Sequence, residues 1–283
     1  MNIFRTSNFP LYTTKQDVEL LFEMVRKCNY VAGNPDYNRK AINTKIYFDE
    51  LNNSINAYAQ SHDEESHKIA IFNGICNSIK FTAVALAYFK EYGEEGGGIG
   101  RIALAMRWLG HKIIDDSYNF PVSSIQEGLN AMEYDTKGII AIEAKSYAAG
   151  GILSVIAHEQ GHICLSHTLK DDWSNEVSRN DERVADLFGC NVSLTTPFAS
   201  NIVLATLFVE IVFNWMAGNH RIATTHPASR ERVYNTLAAH DVILNDLGIT
   251  KENIDWFLPR DEDIPEPVEE PDDPSEDTED PEE

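Results

Sequence analysis

The sequence predicts an α+β fold, mostly helical with a small edge sheet. Three observations carry this expectation. Strand-like segments are short and confined to residues 45–72. Helical periodicity fills the second half. The 283 residues, 43% of them hydrophobic, supply core enough for one large domain or two small ones.

Residues 17–28 (DVELLFEMVRKC) carry apolar side chains at helical spacing. Three strand-like pieces follow: Lys45–Asp49 (KIYFD), Ile55–Gln60 (INAYAQ) and Lys68–Phe72 (KIAIF). The polar turn SHDEESH separates the last two, and Asn73 and Gly74 stop the third. A helix is expected from about 77 to 92. The run Glu94–Gly100 (EEGGGIG) is read as a loop, because its glycines do not follow a strand in a GxGxxG pattern. Residues 101–109 predict a short helix, and Gly138–Ala144 (GIIAIEA) a strand or buried turn. The rest of 93–147 reads as an insertion or subdomain without assignable elements. Gly151–Leu169 is a mostly apolar helix. Asp181 is placed to cap a further helix from Glu182. Asn201–Ala217 is 17 residues long and interrupted by Glu210 and Asn214, short of the roughly 20 uncharged residues of a membrane span. It predicts a buried core helix. Ser229–Leu247 is a last amphipathic helix. The expected organisation is one domain over 1–258, followed by a tail.

Charge is unevenly placed. The chain has 45 acidic and 23 basic residues, a net charge of -22. That balance argues against binding a nucleic-acid backbone or an anionic membrane surface. Residues 260–283 hold 14 acids against Arg260 alone, and five prolines, which leaves 31 acidic and 22 basic residues in 1–259. A segment so poor in apolar side chains cannot offset its ordering entropy, so 259–283 is expected to be a disordered acidic, proline-rich tail. Such a tail is either solubilising or an interaction or autoinhibitory segment. Cys28, Cys76, Cys164 and Cys190 are widely spaced, with no CxxC pair, so neither a disulfide scaffold nor a four-thiolate metal site is indicated. The first residues lack a signal peptide's basic and apolar regions, and a reducing cytoplasmic setting is expected.

The chemistry lies in residues 156–162, IAHEQGH. On a helix, His158 and His162 project from one face and can chelate one zinc ion. Glu159 can reach a water held there and accept its proton. A catalytic zinc needs a third protein ligand and an open position. A third histidine six residues after His162 would fall on Thr168, which excludes that arrangement. Glu182, in DERVADLFG, is the preferred third ligand and Glu176 its rival. Asp186, one helical turn after Glu182, is placed to orient a ligand imidazole. His226, ahead of Pro227, is the candidate second electrophile for the oxyanion. Arg232 is expected to pair with an acid near the site. His167, Cys164 and Cys190 are read as packing residues. His62 and His67 flank an exposed turn and receive no role.

The stretches HEQGHICLSH, ERVAD and THPASRER resemble the gluzincin metallopeptidases of the HtpX and CaaX-prenyl-protease type, and most closely the phage-exclusion peptidases of the Lit type. The shared motifs are HExGHxxxxH, ExxAD and THPxxxxR, over roughly residues 45–75 and 150–236. The resemblance implies a zincin-like domain with an HExxH active-site helix. It implies zinc on His158, His162 and Glu182, catalysis by Glu159 and His226, and support from Asp186 and Arg232. It also implies that the strand holding Ile69, Ile71 and Asn73 borders the cleft as the edge to which extended substrate pairs. The expected activity is zinc-dependent hydrolysis of internal peptide bonds in a cytoplasmic protein, in phage defence, with elongation factor Tu as the substrate the resemblance suggests. The alternatives are a catalytically silent binding protein of the same architecture and a quality-control protease.

Overall fold

Thr14 and Asp17 begin the chain's first helix by bonding each other's backbone: Asp17 N–H donates to Thr14 Oγ1 at 3.1 Å and Thr14 N–H to Asp17 Oδ2 at 2.9 Å. This computed structural model describes residues 13–93, 98–115, 117, 119–120, 139–170, 174–196, 199–217, 229–246 and 248–260. The capped helix, α1 (Lys15–Lys27), buries Val18, Leu21, Phe22 and Val25. Two short helices absent from the sequence reading follow, α2 (Asn29–Ala32) and α3 (Pro35–Ile42). The second begins where the Asn34 side chain accepts from the backbone of Asp36 and Tyr37, with Pro35 in the first turn.

The sheet has three strands, β1 (Thr44–Asp49), β2 (Ala57–Asp63) and β3 (Ser66–Phe72), in the order β1-β3-β2. β3 runs parallel to β1, with Ile46 opposite Ile69, and antiparallel to β2, with Ala59 opposite Ile69. This corrects the expected substrate edge. Ile69 and Ile71 are fully buried in the central strand, and Asn73 is the first residue of the next helix. A strand bonded on both sides has no free ladder for a substrate. The apolar run IAI suits a central position, whereas AYAQSHD, half polar, suits an outer strand.

Helices make up the rest. They are α4 (Asn73–Tyr92), α5 (Gly98–Asp115), α6 (Ile139–Cys164), α7 (Asn175–Leu194), α8 (Ala199–Ala217), α9 (Ser229–Ala239) and α10 (Asp241–Asp246). Among the described residues the α+β expectation is met. Several boundaries differ. GIIAIEA is neither strand nor turn; from Ile139 it forms the first turns of the 26-residue α6. That helix ends at Cys164, short of Leu169, because Ser166 takes a left-handed conformation (φ 61°) and turns the chain. α7 starts at Asn175 on a Ser174 cap, so Asp181 lies inside it. The last predicted helix divides at His240 into α9 and α10. α8 is the expected core helix: Leu207, Ile211 and Trp215 are fully buried, and so, almost, are its two polar interruptions, Glu210 and Asn214. No described helix is long and apolar enough to cross a membrane. The predicted tail from 261 and residues 121–138 of the uncharted segment lie outside the described residues.

α6 is the organising element. It packs on α4, α7, α8 and α1, and its C-terminal half meets α3 and β2. Two glycines set its distance from α7. A Cβ on Gly161 would come within 3.1 Å of Phe188 on α7, and one on Gly189 within 3.2 Å of the backbone nitrogen of His158. Lys40, buried on α3, secures the C-terminus of α6: its Nζ donates to the Cys164 carbonyl at 3.1 Å and to Ser166 Oγ at 2.6 Å, and lies 3.2 Å from Asp36. A cation at a helix C-terminus meets carbonyls that lack helical partners. Lys40→Met is therefore expected to cost about 1–3 kcal/mol through the acceptors it strands. Thermal unfolding would show this as a midpoint lowered by several degrees; an unchanged midpoint refutes the role.

Candidate metal site

His158 and His162 stand one turn apart on α6, and Glu182 reaches them from α7. Their Nε2 atoms are 3.1 Å apart. Glu182 Oε2 is 3.3 Å from His158 Nε2, and Oε1 is 3.4 Å from His162 Nε2. All three residues offer ligand atoms within 4.8 Å of one another, so they can hold one metal ion. Among the described residues no other group of histidines, cysteines or carboxylates does so. Glu176, the rival third ligand, sits exposed in the first turn of α7, two turns away from the triad.

Each imidazole is held on its far side. His158 Nδ1 lies 2.9 Å from Asp186 Oδ1, and Arg232 Nη2 donates to the same oxygen at 2.5 Å. Arg232 Nη1 also approaches Glu182, at 3.8 Å. These contacts bring Asp186 and Arg232 where the sequence put them. The support for His162 was not anticipated. His167 Nδ1 is 3.1 Å from His162 Nδ1, its Nε2 is 3.5 Å from Asp181 Oδ1, and Lys170 Nζ donates to that carboxylate at 2.5 Å. The sequence makes His167 a packing residue, because on a straight helix it would face away from His158. The left-handed turn at Ser166 breaks the helix and swings His167 back onto His162. A serine there gives no signal in the sequence. His67, which flanks the exposed turn as expected, is itself buried, 4% exposed, and its Nδ1 bonds Ser61 Oγ at 2.7 Å.

Glu159 is 8% exposed and takes a backbone hydrogen bond from Ala59 on β2. Burial raises its carboxyl above the ordinary value, which His158 and His162 partly oppose. That suits a group that must take up and release a proton. Burial also opposes the charge on Glu182, yet His158 and His162 hold its carboxyl far below the usual range. Burial pushes Asp186 up, and Arg232 and His158 outweigh it. For His158, burial favours the neutral ring, but Asp186 and Glu182 keep it protonated up to about 10. His167 is pushed down to about 4 by burial and by His162, against Asp181. A neutral His167 can accept the Nδ1 proton of His162 and pass its own Nε2 proton toward Asp181.

His226 and Pro227 lie outside the described residues. Cys164 is a buried thiol that accepts from Gln160 Nε2 at 3.4 Å, as a packing residue would. Compared with known protein families, curated proteins and solved structures, the chain matches none.

Two outcomes are expected. In the metal-free protein, His158 contributes stability that is complete below pH 6.5, its ordinary value, and lost as pH rises toward about 10. Urea titrations should show wild type losing its advantage over His158→Gln across that window; a constant difference refutes a protonated His158. Asp186→Asn and His167→Phe should each weaken cobalt(II) uptake about 10- to 100-fold, read from the visible ligand-field bands. Unchanged affinity in His167→Phe would show that the second chain of contacts does not support the ligand.

Proposed function

We propose that the chain is a zinc-dependent endopeptidase of the gluzincin type. The observation that carries this reading is the convergence of two imidazole Nε2 atoms, 3.1 Å apart, on the Glu182 carboxylate, whose oxygens Oε2 and Oε1 lie 3.3 and 3.4 Å from His158 and His162 in turn. Tetrahedral zinc with bonds of about 2.0–2.1 Å sets its ligand atoms about 3.3 Å apart. Two imidazoles and one carboxylate suit zinc better than calcium or magnesium, which prefer oxygen alone, and three protein ligands leave the fourth position open for catalysis.

His158, His162 and Glu182 would hold the ion, which when bound polarises a carbonyl and lowers the pKa of water. The chain's own residues do the rest. Glu159, next to His158 and with its carboxyl pushed up by burial, accepts the proton of the attacking water at its carboxylate and returns it to the leaving amine. Asp186 and the His167–Asp181 pair orient the two imidazoles and keep Nε2 free for the metal. Arg232 offsets the charge of Asp186 and Glu182. The substrate we infer is an extended protein segment. β2, whose Ala59 touches Glu159, is the outer strand nearest the triad and the one such a segment would join.

Elemental mass spectrometry with a cleavage assay tests the reading. Wild type should carry one zinc per chain, and His158→Ala none. Glu159→Gln should keep the zinc and lose casein hydrolysis by about 10²- to 10⁴-fold. Folded, unchelated protein without zinc, or full activity in Glu159→Gln, overturns it.

A further inference from the structure

A second feature lies beside the triad. α7, α8 and α9 line a half-open pocket of about 230 Å³. None of His158, Glu159, His162 and Glu182 lines it; Asp186 and Arg232 are the residues it shares with the metal site. An engineered apolar cavity of about 150 Å³ takes up benzene, so this one has room for a larger molecule.

Its polar lining is incomplete. Glu210 is 4% exposed, and Thr236 donates to its Oε1 at 2.8 Å. Glu210 Oε2 has no hydrogen-bond partner among the described residues, and neither has Ser193 Oγ, on a residue 1% exposed. Buried polar atoms without partners are costly, and a ligand can satisfy them. The two atoms are a carboxyl oxygen and a hydroxyl oxygen, both able to accept. The matching group is a donor-rich cation. Leu187, Leu194 and Val203 supply apolar wall. Cys190 also lines the cavity, its Sγ 3.3 Å from His240 Nε2, and it is the one half-buried cysteine, since Cys28, Cys76 and Cys164 are buried.

We propose that this cavity binds a small apolar amine, its ammonium on Glu210 and Ser193 and its body against Leu194 and Val203. Burial and the nearby Asp186 push the empty site's Glu210 carboxyl up to about 8, and a bound cation would restore its charge. The site is separate from the metal ligands and its occupation requires no metal.

Benzylamine is a suitable probe, titrated calorimetrically into the full chain, with benzyl alcohol as the uncharged comparator. One site with Kd on the order of 1 mM is expected for a ligand of this size. Benzyl alcohol and the Glu210→Gln variant should each bind about tenfold more weakly. Saturating benzylamine should slow iodoacetamide alkylation of Cys190, followed by peptide mass spectrometry, about tenfold. Cys190→Phe, which fills the cavity, should abolish binding, with circular dichroism reporting that each variant is folded. No heat and no protection in wild type, equal affinity for benzyl alcohol, or binding that survives both substitutions overturns the proposal. None of these readouts uses metal or turnover, so the result is independent of the zinc reading.

Discussion

Gly161 on α6 receives the Phe188 side chain and Gly189 on α7 passes against the backbone of His158, and the rest of the site follows from that approach. The hydrogen of Gly189 faces the backbone of His158 itself. A methyl group there would push α7 outward by a few tenths of an ångström, and Glu182 rides on α7 two turns earlier. Such a shift would draw the Glu182 carboxylate away from the two imidazoles, which it now approaches to 3.3 and 3.4 Å. The glycine inside HEQGH thus has a packing reason: it lets Phe188 sit against the helix that carries both histidines.

Bringing these helices together buries charge, and the arrangement of the remaining polar groups answers that cost. Carboxylates at 182 and 186 would be strongly destabilising alone in so dry a place. Arg232 lies between them, and His158 contacts both. On the other side, His162, His167, Asp181 and Lys170 form a second chain ending in a surface-accessible cation. Each imidazole therefore has a carboxylate behind it, one directly and one through an interposed ring. Lys40 neutralises the carbonyl end of the same helix. Removing one member leaves another buried and unpaired, so the cluster is expected to behave as a unit.

The sequence alone determined the helical face that holds His158 and His162, the choice of Glu182 over Glu176, and the placing of Asp186 one turn after Glu182, toward a ligand imidazole. It also showed that α8 is a core helix. These follow from periodicity and local spacing, which a single chain segment carries in itself. Tertiary structure decided the order of the sheet, and so removed Ile69, Ile71 and Asn73 from the substrate edge; strand order depends on which segments pair, and hydrophobicity alone does not reveal the neighbours. It decided that GIIAIEA extends the helix of His158 and His162, because an apolar run of that length reads equally as strand or buried helix. It decided that His167 supports His162, through one left-handed serine that no composition rule flags. Long-range contacts select among conformations that are locally near-equal in energy, and that selection is not written in any one stretch of residues.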